Sequence, residues 1–392
     1  MNDPVDLPTQ FGDERSGPAR AVGGFGTRAV HAGLAPGEQG AALLPGPVLA
    51  APYHLSGPVT PDSMGYARDA NPTWHALEAG LGALEGGEAV VFASGMGAMA
   101  AIVLGRLRPG QAVVVPQDAY PGIRALARDR LEPIGVEVRP VTSRTDAFVE
   151  AVPGAALVWV ETPANPRLEV VDVRAVVTAA RAEGALVAVD NTVATPLGQQ
   201  PLTLGADFSM MSGTKSLAGH SDLLLGSVAV RDPLLIAGLR AWRSQAGAVA
   251  SPFEAWLAHR SLASLELRLA RQSENALALA SFLAGRDDVV EVHHPSFDPV
   301  AAGQMRRFGP LVSFALRSER AAEAFLARAE LIADATSFGG VHSTAERRLR
   351  WGTDAVAPGF IRLSAGIEDA EDLVADAAAA LDAAEGTSTT AG

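Results

Sequence analysis

The chain has 392 residues, more than one hydrophobic core usually supports, and this length points to about two domains. Hydrophobic residues make up 48% and charged residues 19% of the chain, which is typical of a globular α/β protein and excludes extensive disorder. The 31 Lys and Arg residues against 44 Asp and Glu residues give a formal net charge of −13, which disfavours nonspecific binding to nucleic acid or to an anionic membrane. Small molecules are therefore the expected partners.

Cysteine is absent from the chain, which excludes disulfides, thiolate metal ligands and a cysteine nucleophile, and no metal site is predicted. The first residues, MNDPVDLPTQFGDERSG, are acidic and polar, whereas a signal peptide is basic and then apolar. No apolar run reaches the roughly 18 residues of a membrane-spanning helix. We therefore expect a cytoplasmic protein with no membrane partner.

Residues 1–60 are rich in Gly, Pro and Ala without sustained periodicity, and they predict an extended arm that needs a partner surface. From Asn71 onward apolar residues recur at helical spacing, with Asn71 as the N-cap and Pro72 in the first turn. Strands and helices then alternate, and the short strands lack in/out alternation, as buried parallel strands do. The predicted strands are 89–93, 112–115, 136–141, 156–160, 186–189, 208–211 and 223–230, and the helices are 97–106, 122–131, 173–183 and 234–246.

The alternation of short strands and helices ends after residue 250. A long helical stretch over 253–283 precedes the strand candidates 289–292, 310–316 and 360–364, and a last helix is predicted over 370–384. The sequence therefore predicts a large domain over 61–250 and a smaller α/β domain over 251–392. The expected fold class is α/β, with a mostly parallel central sheet flanked by helices.

Two polar motifs follow predicted strands: VDNT at 189–192 and SGTK at 212–215. Ligands of open α/β sheets bind at the carboxyl ends of the strands. Burial after an apolar strand would lower the pKa of Lys215 and supply the neutral amine of a Schiff base, although a lone strand-end lysine more often only extends its amine to solvent. Asp190 could hold the protonated ring nitrogen of pyridoxal 5′-phosphate (PLP), although alone it is more often a cap or turn residue.

A phosphate site is predicted at the turn ASGMGA (93–98), which joins a strand to a helix, so that free backbone N–H groups and the helix dipole would face an anion. A tight strand-to-helix turn that binds no ligand is equally common. Tyr66 and Arg68 could add a hydroxyl and a guanidinium to the same phosphate. Tyr120 could cover a cofactor ring.

Eight motifs in this order resemble those of the PLP-dependent Cys/Met metabolism enzymes, the family of cystathionine γ-synthase and cystathionine γ-lyase: YARDANPT, ASGMGAM, DAY, ETPANP, AVDNTVATP, SGTKSLAGHSD, SFGGVHS and IRLSAGIED. The resemblance runs from about residue 27 to about residue 381. It implies PLP as the cofactor and the fold type I architecture of PLP-dependent transferases. It also implies a homotetramer built as a dimer of dimers, with active sites between subunits and the arm crossing onto a neighbour.

The resemblance implies a role for each matching residue. Lys215 would form the Schiff base and transfer protons with Tyr120, which would also stack on the ring, while Asp190 would pair with the pyridine nitrogen. The residues that would hold the phosphate are Gly95, Met96, Ser212 and Thr214, together with Tyr66 and Arg68 of an adjacent subunit. Asn165 would lie beside the ring hydroxyl. The substrate would be contacted by Asn165, Ser337 and Arg362.

The activity implied is α,γ-elimination from cystathionine or a related γ-substituted amino acid, giving a thiol, a 2-oxo acid and ammonia. Family members that handle cystathionine often have Arg and Glu where this chain has Trp74 and His342. We therefore expect other residues, with Arg124 as a candidate, to contact the distal end of the substrate, beyond its sulfur. The alternative is that Trp74 and His342 only pack in the wall of the pocket. The alternatives are γ-synthase-type replacement on O-activated homoserine and methionine γ-lyase activity, although methionine γ-lyases commonly carry a cysteine after Tyr120. A non-catalytic oligomeric binding protein would not need Lys215 and Asp190.

Overall fold

The structure, a computed structural model, describes residues 23–34, 37–58, 60 and 63–388; residues 1–22 of the predicted arm and residues 389–392 lie outside it. Local side chains begin several helices: Asn71 Oδ1 accepts the N–H of Thr73 at 2.9 Å, and Ser94 Oγ accepts that of Gly97 at 3.1 Å. The described α-helices are α1 (Phe25–Val30), α2 (Pro72–Glu85), α3 (Gly95–Arg106), α4 (Pro121–Leu126), α5 (Thr145–Ala151), α6 (Val173–Ala182), α7 (Thr195–Gly198), α8 (Pro201–Leu204), α9 (Pro233–Ala246), α10 (Pro252–Leu262), α11 (Leu265–Ala284), α12 (Pro299–Gln304), α13 (Glu319–Arg328) and α14 (Ala370–Ser388).

The strands form two sheets. The larger has the order β1-β7-β6-β5-β4-β2-β3, and only β7 runs antiparallel to its neighbours. The prediction of a mostly parallel central sheet is therefore confirmed. Its strands are β1 (Glu88–Phe92), β2 (Ala112–Pro116), β3 (Glu137–Val141), β4 (Leu157–Glu161), β5 (Leu186–Asp190), β6 (Phe208–Ser212) and β7 (Gly226–Val230).

The smaller sheet has the order β10-β11-β12-β9-β8, in which only β10 and β11 are parallel. A separate core packs α11, α13 and α14 against it through side chains such as Leu279, Phe314, Phe325, Leu363 and Leu381. This confirms the prediction of a second, smaller α/β unit. Its strands are β8 (Val289–His293), β9 (Leu311–Leu316), β10 (Ala333–Asp334), β11 (Thr344–Arg347) and β12 (Phe360–Ser364).

Three predicted elements differ most from the structure, whereas most of the other predicted elements differ by one or a few residues at their ends. The helical stretch over 253–283 is two helices, because the chain turns at Ser264, whose hydroxyl bonds to the carbonyl of Ser261. The helix over 122–131 is α4 followed by a π-helical turn, Ala127–Leu131. The strand over 223–230 begins only at Gly226, since Leu225 is bonded to Thr214 instead.

No helix in the described ranges is both long and apolar enough to cross a membrane. In the same part of the chain, His, Asp and Glu side chains do not form a group of three or more that could hold a metal ion.

The fold brings three polar side chains to one edge of the larger sheet. Glu161, Asp190 and Ser212 are the last residues of β4, β5 and β6, and Glu161 pairs with Asp190 across the ladder. Because carboxyl ends of neighbouring parallel strands meet at the same edge, this is where a ligand is expected.

Candidate active site

A cavity of about 430 Å³ opens at the carboxyl edge of the larger sheet and is closed on its other side by β12, residues 336–338 before β11 and the turn that follows β11. It brings together most of the predicted site residues: Gly95, Met96, Tyr120, Asn165, Asp190, Ser212, Thr214, Lys215, Ser337 and Arg362. Tyr66 and Arg68 do not line it. They contact each other, with the guanidinium 5.2 Å from the ring centroid, and the tyrosine is 47% exposed.

Lys215 lies at the centre of this cavity and is the only lysine of the 392-residue chain. Its Nζ is 2.7 Å from Ser337 Oγ and 5.0 Å from the ring centroid of Phe338. Burial, followed by repulsion from Arg362, lowers the pKa of Lys215 to about 8. At pH 7 roughly a tenth of this amine is therefore uncharged and nucleophilic, far more than for an unperturbed lysine.

Asp190 is 6% exposed at the end of β5. Its Oδ1 accepts the N–H of Thr192 at 3.1 Å and the hydroxyl of the same residue at 2.5 Å, and the Thr192 hydroxyl in turn accepts Ser212 N–H at 2.9 Å. Both hydrogen bonds from the described chain reach Oδ1, which leaves Oδ2 for a donor in the cavity. Burial raises the pKa of Asp190 to about 6. A cation against Oδ2 would oppose that rise.

Glu161 is a buried neighbour of Asp190 whose importance the sequence did not reveal. Its two oxygens accept the backbone N–H groups of Tyr120 at 2.9 Å and Asn165 at 2.8 Å, which fixes two cavity-lining residues. Burial, and then the charge of Asp190, raise the pKa of Glu161 well above its usual range. The acidic edge therefore carries less negative charge than its composition suggests.

The other end of the cavity is the first turn of α3. Ser94 caps the helix, and within the described residues the N–H groups of Gly95 and Met96 have no partner. A side chain at position 95 would place its Cβ 2.8 Å from Ser212 Cβ, so this close approach requires glycine. Thr214 lies alongside, with its hydroxyl already bonded to the backbone of Leu225.

Arg362 is buried on β12 opposite Lys215. It donates to Asn165 Oδ1 and to the carbonyl of Ser337, both at 2.7 Å, and it is ion-paired with Glu346, while its Nε has no partner in the described chain. Ser337 has a φ of +78°, a strained conformation for a residue with a side chain, and its bonds to Arg362 and Lys215 hold it there. The unpartnered Nε is a donor ready for a carboxylate.

The cavity has a charged wall that sequence reasoning missed. Glu346 accepts hydrogen bonds from Arg362, from Arg348 at 2.5 Å and from the indole of Trp351 at 2.8 Å. Arg348 also bonds to Asp354 at 2.6 Å and 2.8 Å. These residues come from TAERRLRWGTD (344–354), where a run of charge is typical of a solvated surface, so the sequence contained no usable signal.

The residues expected to set distal contacts lie elsewhere. Trp74 is 1% exposed in the core, where its indole donates to the carbonyl of Ala250 at 3.1 Å and Arg243 covers its ring. His342 is exposed and does not line the cavity. Arg124 is committed to the carbonyl of Thr353 at 2.7 Å. Of the two possibilities left open for Trp74, the structure shows packing, in the core of its own subunit and away from the cavity.

The chain matches the sequence model of one protein family, described as Cys/Met metabolism PLP-dependent enzyme, over residues 26–382. The chain belongs to this family. A Streptomyces coelicolor protein, named provisionally as a cystathionine γ-lyase, is 52% identical over 95% of this chain and 96% of its own length.

Two solved structures extend the comparison. A methionine γ-lyase from Micromonospora echinospora, in its apo form, has a TM-score of 0.85 at 41% identity and covers 91% of this chain and 98% of its own. A cystathionine γ-synthase from Xanthomonas oryzae in complex with cystathionine has a TM-score of 0.89 at 35% identity, covering 93% and 100%. The predicted fold type and the predicted PLP cofactor are confirmed by family and neighbours.

The cavity of this Cys/Met metabolism enzyme fits PLP on three observations. The chain's only lysine is inside it, Asp190 Oδ2 is available to a ring nitrogen, and the first turn of α3 presents two free N–H groups to a phosphate. Thus Lys215, Asp190 and the 95–96 turn would hold the aldehyde, pyridine and phosphate ends of the cofactor.

The low pKa of Lys215 predicts how fast the unloaded protein takes up PLP at each pH. The rate of uptake should rise with pH up to about 8 and then level off, because the amine is then largely uncharged. With an unperturbed lysine the rate would continue to rise up to about pH 10.4. Absorbance after rapid mixing measures the rate, with a blocked lysine amide as the reference amine. A rate that continues to rise beyond pH 9.5 would contradict the lowered pKa.

Proposed function

We propose that the enzyme is a PLP-dependent carbon–sulfur lyase that cleaves cystathionine, or a related γ-substituted amino acid, to a thiol, a 2-oxo acid and ammonia. The observation that carries the proposal is the position of the single lysine between Asp190 and Arg362 in one cavity. The 52% identical relative with the γ-lyase name supports the same choice.

Each residue near the lysine has a separate task in this proposal. Bound PLP supplies an electron sink for the negative charge that develops at the substrate Cα. Asp190 keeps the ring nitrogen protonated, and Arg362 with Asn165 and Ser337 holds the α-carboxylate, for which a guanidinium is well suited. Tyr120 covers the ring, and the Gly95–Met96 turn with Ser212 and Thr214 binds the phosphate.

Proton movement is assigned to two groups. Lys215 Nζ removes the α-proton of the substrate, a contribution typically worth about 10²- to 10⁴-fold in rate. Lys215 also takes a second proton, from Cβ, and the sulfur that departs from Cγ receives a proton from Lys215 or from Tyr120. Water then hydrolyses the released enamine to the 2-oxo acid and ammonia. Burial raises the pKa of the Tyr120 hydroxyl, so this residue would act as a proton donor rather than as a phenolate.

A product assay tests the proposal against its alternatives. The purified holoenzyme is offered cystathionine, methionine, homocysteine and cysteine, and separately O-activated homoserine with cysteine. We expect 2-oxo acid and thiol from cystathionine at the highest kcat/KM. Cystathionine formed from O-activated homoserine would favour γ-synthase activity, fastest release of methanethiol would favour methionine γ-lyase, and bound PLP without turnover would favour a binding protein.

The domain and subunit arrangement is part of the proposal: an arm over 1–60, a PLP-binding domain over 61–250, a C-terminal domain over 251–392, and a homotetramer of two close dimers. The arm and the loop after it display exposed apolar side chains, namely Leu43, Leu49, Leu55 and Tyr66. Such a row on one segment is typical of a subunit contact. Sedimentation equilibrium should give four times the mass of one chain.

Tyr66 and Arg68 are proposed to reach the phosphate of an adjacent subunit. If so, Arg68→Ala and Lys215→Ala, each inactive alone, should recover partial activity when co-assembled, because some sites would draw both intact residues from different chains. Mass spectrometry confirms that the subunits have mixed, and each variant mixed with itself is the control. No recovery in verified mixed oligomers would place Arg68 outside any neighbouring site.

We also propose a cytoplasmic location, which a role in Cys/Met metabolism favours. Fractionation of the native cells should recover the activity with cytoplasmic marker enzymes, and recovery with secreted or membrane fractions would contradict it.

A further inference from the structure

Arg348 is a third cationic side chain on the cavity wall, beside Lys215 and Arg362, and its side chain is 7% exposed. The charges of both arginines act on Lys215, that of Arg362 more strongly. Arg362 donates to the carbonyl of Ser337, whose hydroxyl contacts Lys215 Nζ, whereas Arg348 reaches this group only through the shared carboxylate of Glu346. A ligand held by its amine at Lys215 and by its α-carboxylate at Arg362 would therefore have Arg348 as a second guanidinium in the same cavity.

The guanidinium of Arg348 keeps unused donors. It has five N–H groups, and its bonds to Glu346 and Asp354 use one on each nitrogen. One N–H on each terminal nitrogen therefore remains within the described structure. Two N–H donors on one guanidinium are what a carboxylate accepts in a bidentate pair.

The charges along this wall also suit such a ligand. Arg362, Glu346, Arg348, Asp354 and Arg124 alternate in sign, with Asp354 3.6 Å from Arg124, so the row carries one excess positive charge. An α-carboxylate at Arg362 offsets that excess. The leaving half of cystathionine is a zwitterion and adds no net charge, so its carboxylate can approach Arg348 without leaving the buried row anionic.

We propose that Arg348 binds the distal carboxylate of the leaving group and thereby selects substrates such as cystathionine over substrates with an uncharged leaving group. This inference rests on the proposed lyase function. It assigns the distal contact to a residue of this chain's own cavity, in place of Trp74, His342 and Arg124, none of which lines that cavity.

Binding of two unreactive ligands tests the assignment without turnover. In 2,7-diaminooctanedioate a methylene replaces the sulfur of cystathionine, and in norleucine one replaces the sulfur of methionine. Calorimetric titration of holoenzyme Arg348→Met should show the dicarboxylate weakened about 10- to 100-fold and norleucine changed less than about threefold, since only the former loses a charged hydrogen bond. Equal weakening of both ligands would overturn the proposal.

Two further variants test whether the weaker binding comes from the loss of the Arg348 guanidinium itself. Arg348→Met leaves buried Asp354 with only its 3.6 Å contact to Arg124. Arg348→Met combined with Asp354→Asn removes both members of the Arg348–Asp354 ion pair and should show the same selective loss. Arg350→Met is the matched control, because Arg350 lies on the same turn but pairs with Asp334 at 2.9 Å and does not line the cavity; it should bind both ligands normally. Selective loss in this control would also overturn the proposal.

Kinetics separate this inference from the proposed function. In Arg348→Met, kcat/KM for cystathionine relative to methionine should fall by the same 10- to 100-fold factor. If the wild type cleaves neither substrate, the lyase proposal fails while the titrations still decide on Arg348. If the wild type cleaves both and the ratio is unchanged, the inference about Arg348 fails alone.

Discussion

Lys215→Ala should lose turnover by at least about 10²- to 10⁴-fold, since it removes the proton-transferring amine. It should also lose the covalent link to PLP, because the chain has no other lysine to substitute for it. Steady-state kinetics measure the first effect. Borohydride reduction and peptide mapping measure the second, with a pyridoxyl group on residue 215 of the wild type and none in the variant.

Ser337→Ala is a useful control for this experiment, because it removes the hydroxyl 2.7 Å from Nζ and keeps the amine. It should retain the covalent label. A label on the N-terminal amine of the wild type, or turnover of Lys215→Ala above a few per cent of normal, would contradict the assignment.

Asp190→Asn should keep PLP bound and lose turnover, because the amide matches the carboxylate in shape and lacks its charge. Breaking a buried charge pair costs about 3–5 kcal/mol, which corresponds to roughly 10²- to 10⁴-fold in kcat. Bound PLP after dialysis and kcat are the two measurements.

Asp207→Asn is the matched control for this variant. Asp207 lies at the opposite edge of the sheet, just before β6, where it accepts the N–H of Val187 at 2.7 Å, and it does not line the cavity. The control should change kcat less than about threefold, as expected for a site remote from the chemistry. Unchanged turnover in Asp190→Asn would mean that the carboxylate of Asp190 only holds Thr192 in place through hydrogen bonds.

Most of the fold could be predicted because its signals are local. Unbroken apolar runs such as Val113–Val115 have no solvent face, and caps such as Asn71 and Ser94 mark where helices begin. The break at Ser264 was not predictable, since helical periodicity continues through it and neither Gly nor Pro interrupts it. The two-residue strand β10 depends on pairing with β11 and has no sequence signal of its own.

The site residues likewise include some that the sequence could predict and some that it could not. Gly95, Asp190 and Lys215 stand directly after strands in short motifs, so the order of elements brings them to one edge. Arg348 reaches the cavity, and Glu346 holds it there, only because the smaller sheet closes over the cavity, a long-range contact that periodicity does not encode. For Trp74 the motif position alone left a substrate contact and packing both open, and only the structure shows that it packs in the core against Arg243.

The chain's only lysine lines the candidate active-site cavity, and its other basic side chains are 30 arginines and 8 histidines. Arginine does not react with the aldehydes and active esters that modify amines, and it does not lose its charge below about pH 12. Such reagents should therefore attack the unloaded protein at residue 215 and at the N-terminus, and bound PLP should block the first of these. Surface immobilisation through amines would accordingly leave the loaded protein tethered at one end and still active.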